Sequence, residues 1–176
     1  EAGNAQAQND LGVVYLESYP HNYDEAQRWF HRAADQGNAD AKYHLGTMHA
    51  KGQGVTQDYA AAMKWFRAAA DLSSGVATAA IGSAYANGKG VPQDYREALK
   101  WFRQGAQTGN AESQYRLGVA FAGGQDFQHN YVEAYKWFAL AAAQGHKLAI
   151  KARDNLARKL TREQLDDGQR KAAEFA

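Results

Sequence analysis

The segment Asn22-Tyr-Asp-Glu-Ala-Gln-Arg-Trp-Phe-His-Arg-Ala-Ala-Asp-Gln-Gly37 decides the reading of the chain, because its pattern returns three more times at one spacing. Tyr23, Tyr59, Tyr95 and Tyr131 stand 36 residues apart. So do Trp29, Trp65, Trp101 and Trp137, all 4 tryptophans of the 176-residue protein, and Phe30, Phe66, Phe102 and Phe138 follow directly. A fixed period of this length marks stacked units that share one continuous core. Within the segment, Tyr, Ala, Trp, Phe, Ala and Ala fall at offsets 0, 3, 6, 7, 10 and 11, the apolar stripe of a helix.

Asn22, Asp58, Asp94 and Asn130 open this helix, each with a side-chain oxygen able to accept from first-turn amides. Glu25, Glu97 and Glu133 follow three residues later as a variant capping box. Gly37, Gly109 and Gly145 end it with a left-handed residue. Between the second and third repeats Ser73-Ser74-Gly75 stands instead, and altered geometry is expected there. The tryptophans are expected in the buried seam, where truncation to alanine costs roughly 3 to 5 kcal/mol.

Working outward, each unit carries an earlier helix with an apolar residue, a glycine and a ring: Leu11-Gly12 with Tyr15, Leu45-Gly46 with His49, Ile81-Gly82 with Tyr85, and Leu117-Gly118 with Phe121. Ala7, Ala41 and Ala77 lie four residues earlier on the same expected seam. A glycine inside a helix costs about 1 kcal/mol against alanine, so its return implies close approach of a neighbouring helix. The connecting loops Lys51-Gly-Gln-Gly-Val55 and Asn87-Gly-Lys-Gly-Val-Pro92 permit a tight reversal, so paired helices run antiparallel. Repeat one (Leu16 to Asn22) is shorter by two residues, and repeat four has Gly123-Gly-Gln-Asp-Phe127. After Gly145 the pattern decays. Leu148, Ala149, Ala152, Leu156 and Leu160 mark one helix, and Thr161-Arg-Glu-Gln164 opens a last one to about Phe175.

Composition narrows the function. The chain has 20 basic and 19 acidic residues and a net charge of +1, which gives no global case for nucleic acid. No stretch approaches the roughly 18 to 20 apolar residues of a membrane span. With 0 cysteines, disulfides and thiolate chemistry are excluded. His21 and His129 hold one position of the period in distant repeats, while His44 and His49 point to different helical faces, so no metal ligand set is read. No nucleophile elbow, zincin, phosphate-loop or dinucleotide motif occurs; no enzyme and no cofactor is expected. The segment Glu1-Ala-Gly-Asn4 reads as the end of a preceding unit, so the natural chain is expected to begin upstream.

These paired features resemble the Sel1-like repeat family, relatives of tetratricopeptide repeats with a longer period, and most resemble its bacterial members. The resemblance implies an all-α, right-handed αα-superhelical solenoid of four helix-pair repeats at about 3–38, 39–74, 75–110 and 111–146. A C-terminal capping helix pair would fill 147–176. It also implies a protein- or peptide-binding adaptor or scaffold, and leans towards a periplasmic or secreted location. The alternative is a structural spacer, or a segment that self-associates through an exposed N-terminal repeat edge. A small-molecule or glycan groove stands third.

In helix-pair solenoids the first helices line the concave side. The positions that change between units there are Gln6, Asp10, Val13, Glu17; Asp40, His44, Thr47, Lys51; Val76, Ala80, Ser83, Asn87; and Glu112, Arg116, Val119, Gly123. The partner-binding candidates are Asp10, Glu17, Tyr43, His44, Thr47, Lys51, Ser83, Asn87, Tyr115 and Arg116. Tyr43 and Tyr115 read equally as aromatic anchors and as packing between units. The basic row Arg28, Lys64, Lys100 and Lys136 and the cluster Lys147, Lys151, Arg153, Arg158, Lys159 and Arg162 read as solvated faces.

Overall fold

In the computed structural model, which describes residues 3–123 and 129–175, the chain forms helices α1 (Ala5–Glu17), α2 (Tyr23–Asp35), α3 (Ala39–Lys51), α4 (Tyr59–Ala70) and α5 (Gly75–Asn87). They are followed by α6 (Tyr95–Gln107), α7 (Ala111–Gly123), α8 (Tyr131–Ala143), α9 (Lys147–Ala157) and α10 (Arg162–Phe175). Among the described residues there is no strand. Gly124 to Phe127 of the loop expected in repeat four, and Glu1 with Ala2, lie outside the described residues. The helices fall into two compact units, one up to Asp94 and one from Tyr95, so the division runs between the two helices of the third repeat.

Side-chain caps fix the helix starts. Asn22, Asp58 and Asn130 accept from the amides of Glu25, of Ala60 and Ala61, and of Glu133. The first helices are capped in register too, by Asn4, Asn38, Ser74, Asn110 and His146. Thr161 and Gln164 exchange bonds of 3.2 and 3.0 Å as a complete capping box. At Glu25 the box is only half made, because its carboxylate pairs with Arg28 at 2.6 Å instead of reaching back.

In the first unit α1 packs on α2, α2 on α3, α3 on α4 and α4 on α5. Phe30 from α2 is fully buried with Ala33, Ala34, Ala41, Leu45 and Met48. The seam glycines receive these phenylalanines: a Cβ on Gly12 would lie 2.6 Å from the Phe30 ring, and one on Gly46 would lie 2.6 Å from that of Phe66. The close approach is therefore a ring inserted where no side chain stands, made by the unit's own second helix. In the second unit Gly118 and Phe138 repeat this at 2.5 Å. There Tyr135, Phe138 and Leu156 form a core with Leu160 and Leu165, and α10 lies on α8.

Four expectations need correction. Phenylalanine, not tryptophan, fills the seam: Trp29, Trp65 and Trp101 are half-buried, and only Trp137 is buried, with Phe175 of α10 edge-on to it at 5.0 Å. Adjacent helical residues diverge by about 100°, so a Trp-Phe pair cannot put both rings on one neighbour. Ala7 is exposed, because Ala33 and Ala34 of the preceding second helix cover Ala41, and no described residue stands there before α1. Leu148 is exposed on the outer side of α9.

The fourth concerns Ser73-Ser74-Gly75, whose geometry is not altered. Ser73 adopts φ +64°, in the left-handed region used by Gly37, Gly109 and Gly145. Ser74 N–H then donates to Ala69 O as Asn38 N–H does to Ala33 O. The helix end is conserved in shape, and a serine backbone carries the strain.

Candidate binding surface on the first helices

The changing stripe divides between residues tied into the scaffold and residues left to solvent. On α1, Gln6 donates to Asp10 at 2.8 Å and accepts from the α3 cap Asn38 at 3.1 Å. Glu17 is exposed. On α3, the His44 ring stacks on Phe30 at 4.8 Å, and burial lowers its pKa even though Asp40 and Glu17 pull the other way. Tyr43 is half-buried and tilts against Phe66 at 5.8 Å. Thr47 donates to its own helix at Tyr43 O, 3.0 Å away.

Lys51 ends α3 exposed, and across from it Ser83 and Asn87 sit on α5. These three, with Phe66, Ala80, Ala84, Tyr59, Gln57 and Lys89, line a cavity of about 530 Å³ within the first unit. Asn87 donates to Ser83 O at 2.7 Å, which fixes its amide. Gln57 donates to Ala50 O at 2.8 Å and to the Tyr59 hydroxyl at 3.2 Å, and Lys89 Nζ lies 5.5 Å above the Tyr59 ring. The next repeat's turn packs closely on the Tyr59 backbone, since a Cβ on Gly90 would meet Tyr59 O at 2.6 Å.

In the second unit Arg116 donates to Glu112 Oε1 at 2.6 Å, and His146 Nε2 lies 2.9 Å from Oε2 of the same carboxylate. His146 Nδ1 accepts from Ala149 N–H at 3.2 Å, so Nε2 carries the proton given to Glu112. Burial alone would raise the Glu112 pKa, but the hydrogen bonds and charges of His146 and Arg116 outweigh it and hold the carboxyl below its ordinary value. Tyr115 is half-buried between Phe138 at 5.9 Å and the stacked His146 ring at 4.8 Å. Glu112 and Tyr115 thus link α7 to the start of α9, while Arg116 is tied to Glu112 within α7.

Tyr59, Gln57 and Lys89 were not among the sequence candidates. The signal was present for one position: His21, Gln57, Gln93 and His129 keep the 36-residue step, and Gln57, Gln93 and His129 each bond the carbonyl of Ala50, Ala86 or Ala122 near the end of a first helix. Among the described residues no group of three or more His, Asp or Glu could hold a metal ion, and no helix is long and apolar enough to cross a membrane. The basic row is engaged locally. Arg28, Lys100 and Lys136 pair with Glu25, Glu97 and Glu133, and Lys136 also lies 4.5 Å over the Trp137 ring.

The Sel1 repeat family matches at residues 5–38, 39–74, 75–110 and 111–146. The chain belongs to the Sel1 repeat family. Its fold is the all-α, solenoid class of that family. It is similar to a Sel1 repeat protein from Oxalobacter formigenes, with 31% identity over 98% of this chain and 74% of that one, at a TM-score of 0.80. It is also similar to c5321, a protective antigen of uropathogenic Escherichia coli with an SLR fold, at 26% identity and a TM-score of 0.65. That match spans 98% of this chain but 45% of the antigen. Immunity protein Pa5087 from Pseudomonas aeruginosa shares the fold at 17% identity, over 98% of this chain and 69% of that one, with a TM-score of 0.64. A search among curated proteins returns no match. Sel1 repeats are non-catalytic and generally mediate protein–protein interaction.

Proposed function

We propose that this Sel1 repeat protein is a binding adaptor that takes a protein or peptide partner on the surface of its first helices. The observation that carries the reading is the cavity of about 530 Å³ whose wall includes Lys51, Ser83 and Asn87, all positions that change from repeat to repeat. Other changing positions, such as Gln6, His44 and Arg116, are engaged by neighbouring side chains, whereas these three line the cavity. Binding in such a groove uses a rigid frame, so little ordering cost falls on the protein.

A comparative capture from fractionated source-cell lysate tests this. The parent protein is set against Ser83→Trp, which fills the cavity, and Arg28→Glu on the outer face of α2. A partner retained by Arg28→Glu and lost by Ser83→Trp supports the groove. Equal recovery by all three moves the site elsewhere, and no partner at all makes the spacer role the better account.

A further inference from the structure

We infer that the cavity between α3 and α5 takes a short peptide segment through an acidic side chain; this rests on the binding role proposed above and adds the chemistry of the ligand. Lys51, Lys89 and Tyr59 all bring donors to the opening. Among the described residues Lys51 and Lys89 form no ion pair, so both ammonium groups are unneutralised where they line the cavity. The two amide protons of Gln57 go to Ala50 O and to the Tyr59 oxygen. The phenol oxygen is therefore already an acceptor, and its own proton is the one left to give.

Several acceptors nearby are already engaged. The Asp58 carboxylate takes the amides of Ala60 and Ala61 at 2.8 and 3.0 Å. The carbonyls of Ala50 and Ala86 near the ends of α3 and α5 are bonded by Gln57 and Gln93 at 2.8 Å each. Glu17, at the corresponding end of α1, stands outside the cavity wall. Behind the donors the wall is apolar, with Phe66, Ala80 and Ala84. Two cations and a hydroxyl around an apolar floor fit a carboxylate carried on a peptide that also presents a small apolar neighbour.

The test pans a phage library of random peptides against the whole immobilised chain. The panels are the parent, the double variants Lys51→Glu/Lys89→Glu and Lys51→Gln/Lys89→Gln, and Arg28→Glu, after all four show the same helical circular dichroism and melting. The expected result is that the parent and Arg28→Glu enrich peptides rich in Asp and Glu. Synthetic versions of those peptides then bind the glutamine variant about tenfold more weakly, and the glutamate variant selects Lys and Arg instead. Enrichment of peptides without acidic residues, or of acidic peptides held equally by both double variants, overturns the acidic ligand and leaves the binding role standing. No enrichment by the parent overturns both.

Discussion

The Phe66 ring occupies the place of the side chain that Gly46 lacks: a Cβ on that glycine would stand 2.6 Å from two ring carbons and 3.2 Å from Ala62 O. Phe66 is itself 7% exposed, so it has nowhere to retreat. Gly46→Ala gains about 1 kcal/mol of helix propensity but forces α3 and α4 apart, which typically costs 1 to 3 kcal/mol. The expected net is a loss of about 1 kcal/mol, read as a lower urea midpoint at unchanged slope. A rise in the midpoint would show that the ring can shift.

The two rings of each Trp-Phe pair should differ in weight. Phe66→Ala opens a cavity in the seam and is expected to cost about 3 to 5 kcal/mol. Trp65 is half-buried, with His31 edge-on at 5.5 Å, so Trp65→Ala should cost less, on the order of 2 kcal/mol. Thermal unfolding of the two variants side by side checks the order. Equal losses would return tryptophan to the core.

Ser73→Gly should stabilise the first unit. The left-handed conformation costs a residue with a Cβ about 1 to 2 kcal/mol, part of which glycine gives back through the entropy of its unfolded state. A gain of about 0.5 to 1 kcal/mol is expected by chemical denaturation. No gain would mean that the serine backbone is not strained.

Two groups shape the acid side of the pH profile. His44 has its pKa lowered from 6.5, so the unfolded chain binds its proton first. Its stabilising contribution is complete above 6.5 and is lost as pH falls through the lower folded value. The Glu112 carboxyl is lowered from 4.5, so its contribution is complete above 4.5 and is lost further down, as pH falls through its own folded value. Denaturant midpoints of the parent minus those of His44→Gln, and minus those of Glu112→Gln, should therefore begin to fall at different pH, the first below 6.5 and the second below 4.5. A flat difference for either variant would refute the assignment for that group.

Gly90→Ala should be among the most damaging single methyl additions. The residue has φ +74°, and its Cβ would meet the backbone of Tyr59 at 2.6 and 2.7 Å, where nothing flexible can yield. A loss of more than about 2 kcal/mol is expected from strain and clash together. The same variant should displace the Tyr59 ring, detectable as a changed tyrosine signal before any unfolding.

The helical pairs were legible because the 36-residue step repeats cap, ring and stop signals together. Which ring is buried was not, since Trp65 and Phe66 share one broad stripe and only the position of Gly46 on the facing helix chooses between them. Ser73 misled because residue type was read as conformation, although the surrounding hydrogen bonds impose the left-handed backbone. The cavity escaped for another reason. Lys89 and Gln57 lie in or beside turns, and only the folded turn brings them to Lys51 and Asn87 on two different helices. His146 was hidden by its identity, although it stands 36 residues after Asn110 in the capping position.

That histidine also determines where the chain can be cut. Because its ring covers Tyr115 while its two nitrogens start α9 and bind Glu112, a fragment ended at Gly145 would bare an aromatic face and leave Arg116 as the remaining partner of that carboxylate. The repeat boundary that the eye draws after the last glycine is therefore one residue and one helix too early. A shortened version of the second unit that is meant to stay soluble must keep α9.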